Sequence, residues 1–323
     1  MKIGINTLNN LYKNKLIINI LYISIVFSLL FTISNLFIFS ASEEPSSNSK
    51  NKNVFSPIEI PKHISFANEK VPVKNFDVSE GLDRELLINT YWHSQTFLHL
   101  KKANRYFKTI EPILKKNNIP DDFKYLAIVE SGLSNVTSPA GAVGFWQFLK
   151  GTAKETGLEV NSQIDERYHL EKATQAACKY FNKSYEKYKN WTLAAASYNI
   201  GRRRLSEELE RQKAHNYYDL LLNEETSRYI FRAIATKIIF QNPAKYSFDI
   251  SEKDYYPFFE TKEIKVDSAV SHFADFAKIY GTNYKILKVF NPWLRNHYLT
   301  NKSRKEYFIK IPVDANREIE FEE

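Results

Sequence analysis

Cysteine is all but missing. Cys178 stands alone among 323 residues, so no intrachain disulfide framework and no zinc site built on several thiolates can form, and no N-terminal cysteine is present to carry a lipid. Glycine and proline are scarce too, at 9 and 11 residues, which excludes collagen-like and low-complexity chains, while 43% hydrophobic and 15% aromatic residues supply a globular core. A nucleic-acid stripe is lacking as well. Of the net charge of +8, three units belong to Lys2, Lys13 and Lys15, the only charges before residue 43, leaving five on the remainder. So modest a balance suits an anionic polymer such as a cell wall or a membrane face as readily as RNA, so charge alone does not choose a partner, and the expectation of no nucleic-acid partner rests on the motifs below. The length fits about two domains plus a targeting segment.

Charge is also absent from Leu16 to Phe39, a run of 24 residues behind the three lysines. About 20 apolar residues span a bilayer, whereas the core of a cleavable signal peptide has about 7–15, so the length favours an uncleaved anchor. Against that, Asn19, Ser34 and Asn35 interrupt the run, and Ser40-Ala41-Ser42 is a small-residue site of the kind a signal peptidase accepts. Residues 1–42 are thus expected to be a membrane anchor or a signal peptide. With the lysines on the cytoplasmic side, everything after residue 42 lies outside the cytoplasm.

Residues 43–75 are rich in Ser, Asn, Lys and Pro without a sustained period, and read as a linker. From Leu82 to Pro243 the pattern is helical: Ala173, Ala177, Tyr180, Phe181 and Tyr188 keep 3–4 spacing, and Tyr229, Ala233, Ile234 and Ile238 repeat it. An all-helical domain over 76–247 is expected, with a boundary in the stretch 247–260. The tail differs in kind. Glu263–Val266 alternates like a strand, helices follow over Ala269–Ile279 and Tyr284–Phe290, and Tyr307–Pro312 reads as a closing strand, making a small α+β module over 260–314.

Chemistry gathers in three blocks. In the first, Phe123, Leu126, Ala127 and Glu130 fall at i, i+3, i+4 and i+7 of a helix opened by Asp121-Asp122 and closed by Gly132, so Glu130 lies on the stripe facing the core. Desolvation there raises the pKa of a carboxyl and keeps it protonated near neutral pH, as a general acid requires. The alternative is that Glu130 turns to the helix edge or pairs with an arginine such as Arg232. Eight residues on, Ser138-Pro139-Ala140-Gly141-Ala142-Val143-Gly144-Phe145-Trp146-Gln147 forms a small-residue loop that lets a polymer approach the backbone closely, or else simply links two helices with Trp146 in the core. The third block, Trp191 to Gly201, is a small-residue helix presenting Tyr198 and Asn199 before a glycine.

Together these blocks resemble the lytic transglycosylase domain of glycoside hydrolase family 23, whose fold is lysozyme-like. The family pattern of a Glu-Ser pair, a Ser-Pro-x-Gly-Ala-x-Gly-x-x-Gln loop and an Ala-x-Tyr-Asn-x-Gly turn stands here as Glu130-Ser131, Ser138 to Gln147 and Ala196 to Gly201. Thr152-Ala153, Gly157-Leu158, Trp191, Glu225 to Tyr229 and Asn242-Pro243 extend the match across about 105–245. Phe145-Trp146 stands where many relatives have Leu-Met, Ser197 where many have alanine, and Ile200 replaces an alanine; none removes a functional group. The tail is similar in order to a LysM module, through Phe276-Ala277, Leu287, Asn291 and Ile309 to Pro312, although Val266-Asp267-Ser268-Ala269 stands where a Gly-Asp-Thr-Leu turn is usual.

The resemblance implies a mainly α protein, a lysozyme-like all-helical catalytic domain with a small C-terminal βααβ module. It implies cleavage of the β-1,4 bond between N-acetylmuramic acid and N-acetylglucosamine in peptidoglycan, with Glu130 as the one catalytic acid and 1,6-anhydromuramoyl ends as product. Ser138, Gln147, Tyr198, Asn199 and Glu225 are implied as substrate-binding residues, the last with the alternative that Glu225 caps a helix beginning near Thr226. The expected partner is the peptidoglycan glycan strand, met in the periplasmic cell envelope by a monomer anchored through residues 16–39, with no cofactor or metal. The tail either binds wall glycan or serves packing alone. Its aromatics Tyr280, Tyr284, Phe290 and Trp293 can stack sugars or fill a core. Two other readings are a muramidase that hydrolyses the same bond with water and a non-catalytic wall-binding or assembly protein.

Overall fold

Asparagine does much of the local punctuation in this chain. The Oδ1 atoms of Asn190, Asn223 and Asn283 each accept a hydrogen bond from the amide three residues on, which starts three helices at those positions. A computed structural model describes residues 57–313. The elements run β1 (Ser65–Phe66), β2 (Glu69–Lys70), α1 (Phe76–Tyr91), α2 (His93–Lys116), α3 (Lys124–Ser131), α4 (Lys150–Glu155), α5 (Leu170–Tyr188), α6 (Trp191–Ile200), α7 (Arg202–Gln212), α8 (Glu224–Gln241), β3 (Thr261–Val266), α9 (Phe273–Ile279), α10 (Tyr284–Phe290) and β4 (Tyr307–Pro312). The chain is mainly α and lysozyme-like, with a small α+β module at its C-terminal end. The expected anchor or signal peptide at 1–42, the linker stretch 43–56 and the end of the module at 314 lie outside the described residues. Among the described residues no helix is long and apolar enough to cross a membrane.

Helix α8 is the axis of the larger core and packs against α1, α3 and α6. The residues read as its stripe, Tyr229, Ala233, Ile234 and Ile238, are all buried. Glu85 of α1 is buried and meets the Arg228 guanidinium of α8 with both oxygens, at 2.6 and 3.3 Å, so the seam is fixed by charge as well as by apolar contact.

Residues 57–75 correct the linker expectation. They fold onto the helical core through a hairpin whose two-residue turn, Ala67-Asn68, has both φ angles positive, the backbone of a type I′ turn. Phe66 is fully buried and stacks on Phe123 at 5.8 Å, and Val71 is buried beside it. Asp122 accepts from the Ala67 amide and from Lys237, which in turn donates to the Ser65 carbonyl. Glu69 then reaches the start of α6, accepting from the Trp191 and Thr192 amides at 2.5 and 2.9 Å and from the Thr192 hydroxyl at 2.6 Å. A carboxylate there satisfies orphan donors and meets the positive helix end. The segment shows no period because its contacts are single and its strands have two residues each.

In the C-terminal module β3 and β4 pair antiparallel, with Thr261 opposite Pro312 and Val266 opposite Tyr307. Helix α9 begins at Phe273, later than the expected Ala269, because Val270 is diverted into a two-way backbone bridge with Leu299. The module has its own core, yet Ile164 of the larger unit is part of it, packed among Leu294, Trp293 and Tyr307. Backbone bonds from Asp165 to Trp293 and from Arg295 to Gln163 close the seam. Trp293 is a core residue here, with its ring between His169 and Tyr307.

If the 57–75 segment is part of the fold, Phe66→Ala should cost about 3–5 kcal/mol and Glu69→Ala about 1–2 kcal/mol in denaturant unfolding. A tether would tolerate both, and silent substitutions would return the segment to a linker.

Candidate active site

A helix that ends in a left-handed glycine has the stop needed to present its penultimate side chain. Gly132 caps α3 at φ +58°, and a Cβ there would lie 2.7 Å from His99 Nε2. His99 is buried, and burial with the nearby Lys102 charge brings its pKa down to about 4, so the ring packs as a neutral group. Lys102 donates to the Gly132 carbonyl at 3.1 Å and to Ser134 Oγ at 2.6 Å, neutralising the exposed end of the helix. Ser131 Oγ binds the Phe145 carbonyl at 2.9 Å and so ties this helix end to the loop that follows.

Glu130 is half-buried, with its carboxyl opening on a cavity of about 610 Å³. Burial pushes its pKa up to about 7, the neighbouring Glu225 charge adds to the rise, and a hydrogen bond from Tyr229 and the more distant Arg232 charge oppose it. Tyr229 Oη donates to Glu130 Oε1 at 2.6 Å. The expected alternative, a pair with Arg232, is not formed: Arg232 lines the same cavity and directs Nε toward Glu85 at 3.9 Å.

The loop carries Ser138 and Gln147 to the same cavity. Gly144 sits at φ +82° against the Arg167 carbonyl, where a Cβ would approach to 2.1 Å, so only glycine fits. Gln147, at φ +47°, donates its amide hydrogens to the Gly144 and Val136 carbonyls at 2.8 and 3.2 Å, which leaves Oε1 as its remaining polar group. Ser138 Oγ accepts from the Ala142 amide at 3.0 Å and keeps its hydroxyl proton to donate. Trp146, read either as loop or as core, is core: fully buried, its indole donates to Thr174 Oγ1 at 2.9 Å.

Helix α6 brings Tyr198 and Asn199 to the opposite wall. Tyr198 Oη donates to the Trp146 carbonyl at 2.6 Å, and its ring packs against Phe148, Tyr180 and Phe181. Asn199 accepts from Thr226 Oγ1 at 2.8 Å and donates to Glu225 Oε1 at 3.3 Å. Glu225 does not cap α8. Asn223 does so, and Glu225 is exposed in the first turn with its carboxylate at the cavity.

All six residues singled out from the sequence therefore line one cavity. Tyr229 was not among them, because it sits on the apolar stripe of α8 and reads as core. The available signal was a hydroxyl-bearing aromatic on an otherwise aliphatic stripe, one turn after Glu225. Among the described residues no cluster of three or more His, Cys, Asp or Glu side chains is placed to hold a metal.

Helices and the small-residue loop wall the cavity, with the Glu130 carboxyl at a helix end. Residues 108–221 match the family model of the transglycosylase SLT domain, and residues 262–315 match that of the soluble lytic transglycosylase C-terminal LysM-like domain. It is similar to the membrane-bound lytic murein transglycosylase D of Escherichia coli, in strain K12 and in O6:H1 strain CFT073, at 27% identity over 234 residues, or 70% of this chain. The chain spans about half the length of these curated relatives.

Because the folded-state pKa of Glu130 is raised, the stability it contributes is present below its ordinary value of 4.5 and is lost as pH rises to about 7. Glu130→Gln should remove that loss. The variant should be more stable than the parent at pH 8, by at most about 3 kcal/mol, and the difference should vanish near pH 4. Denaturant unfolding at both pH values checks it; equal stabilities at pH 8 would mean an ordinary carboxylate.

Proposed function

We propose that the protein is a peptidoglycan lytic transglycosylase, cleaving the β-1,4 bond between N-acetylmuramic acid and N-acetylglucosamine and leaving 1,6-anhydromuramoyl ends. The observation that carries this reading is the raised pKa of Glu130 at the cavity, together with the SLT domain match. Protonated Glu130 donates its proton to the glycosidic oxygen as that bond breaks. The resulting carboxylate then takes the proton of the muramoyl 6-hydroxyl, whose oxygen closes on the anomeric carbon, so no water enters and the acid is regenerated.

The other residues have supporting roles in this proposal. Tyr229 holds the Glu130 carboxyl in its rotamer. Gln147 Oε1 and Ser138 Oγ supply an acceptor and a donor for acetamido and hydroxyl groups. Tyr198, with its proton committed to the Trp146 carbonyl, turns oxygen lone-pair density toward the positive charge developing at the anomeric centre, and Asn199 steadies the Glu225 side of the cleft. Residues 57–247 would form the catalytic unit and 260–314 the wall-facing module. The protein would act as a monomer on glycan strands in the periplasmic envelope, held at the membrane through residues 16–39.

Glu225 favours a second reading, since a hydrolase of this geometry uses two carboxylates and Glu225 brings a second one to the cavity. Mass spectrometry of muropeptides released from sacculi separates the two. The proposal expects anhydro ends, lighter by one water than hydrolysis products, and Glu130→Gln should lower turnover by about 10²–10⁴. Hydrated ends alone would favour hydrolysis, and a fully active Glu130→Gln would remove Glu130 from the chemistry.

Tyr229 yields a sharper test. Its hydrogen bond lowers the pKa of Glu130, so Tyr229→Phe should move the alkaline limb of the kcat/KM profile, where protonated Glu130 is lost, from near pH 7 to higher pH. An unmoved limb would mean that Glu130 is not the group titrating there.

A further inference from the structure

A second cavity, of about 280 Å³, continues from the first across Thr152 and Tyr180, which line both. Its character is different. Lys179 and Lys183, one turn apart on α5, line it together with Arg202 at the start of α7, and Glu155 and Glu186 line it as well. Among the described residues none of these three cations forms an ion pair with either acid. Lys179 is bonded to the Thr156 carbonyl at 3.2 Å, and Lys183 is exposed.

Arg202 is the unusual member. Its guanidinium lies over the Tyr180 ring at 4.2 Å, which fixes the plane of the fork, and its Nη1 is buried without a hydrogen-bond partner. The guanidinium that carries this unpaired donor lines the cavity, where its other N–H groups can meet an acceptor that arrives from outside. The planar fork matches a carboxylate.

Resting on the transglycosylase reading, we propose that this cavity is a subsite for the peptide carried by the muramoyl residue in the neighbouring cleft. A carboxylate of that peptide is received by Arg202, flanked by Lys179 and Lys183, and an amino group of the same peptide faces Glu155 and Glu186. The mixed charge of the walls fits a peptide bearing both signs better than it fits an uncharged sugar. The shared wall at Thr152 and Tyr180 sets the second cavity directly beside the cleft, within reach of a substituent of the bound strand.

The test compares kcat/KM on peptide-bearing glycan strands with kcat/KM on the same strands after amidase removal of the peptides, for the parent protein, Arg202→Gln and Lys183→Gln. The parent should prefer the peptide-bearing strands. Arg202→Gln should cut the preference ratio about tenfold, as expected for one lost charge-assisted hydrogen bond, and Lys183→Gln should cut it by about threefold. An unchanged ratio in both variants overturns the proposal even if the parent is active. Lys183 is solvent-exposed, so an unchanged ratio in Lys183→Gln overturns it also where Arg202→Gln fails to fold. If the parent releases no anhydro product from either substrate, the transglycosylase reading falls and takes this inference with it.

Discussion

A carboxyl group stays protonated near neutral pH only where protein replaces most of its water, and that constraint organises the structure around Glu130. The residue cannot be buried at the middle of a helix without losing access to substrate. It stands instead one residue before the end of α3. Gly132 stops the helix at once, His99 fills the space a Cβ would need, and Lys102 satisfies the carbonyl at the end. Desolvation on one side and access on the other both follow from this single helix end.

The loop facing Glu130 has to be rigid without a regular element to make it so, and the chain solves this with one buried arginine. Arg167 holds Asp165 through two parallel bonds of 3.0 and 2.8 Å, and its Nη1 reaches the Gly141 and Phe148 carbonyls at 3.2 Å each. Asp165 and its neighbours are also the seat of the C-terminal module, through Ile164, Trp293 and Leu294, with Glu159 receiving Lys305 and Tyr307, and Glu171 receiving Lys310. One short segment, 159–171, therefore connects the module to the floor of the cleft.

Much of this was legible in the sequence, and the parts that were not share a cause. The helical stripes of α3, α5 and α8, the closing strand Tyr307–Pro312, and the six residues that meet at one cavity could all be read from spacing and motif. What escaped depends on single long-range contacts. Glu69 caps a helix that begins 122 residues later, and Phe66 completes a core whose stripes lie elsewhere. No local period records either. Tyr229 escaped for a different reason: its ring obeys the apolar stripe, and only its hydroxyl, invisible to periodicity, reaches Glu130. The same blindness places Glu225 at a helix start by composition, while Asn223, two residues earlier, holds the cap.

Tyr229 also explains how the two opposing demands of the proposed chemistry can be met by one group. A general acid gains from a high pKa, whereas the base formed one step later gains from the stability of its anion. Desolvation and the Glu225 charge push Glu130 upward; the Tyr229 hydroxyl and the Arg232 charge pull it back, and the balance stands at about 7. Brønsted behaviour makes a pKa near the working pH the compromise for a residue that must give a proton and then take one. A lone buried carboxyl would be too weak an acid, and one paired directly with an arginine would be deprotonated from the start. The turn of Arg232 toward Glu85, leaving the neutral donor of Tyr229 to face Glu130, is therefore the arrangement that the two-step role requires.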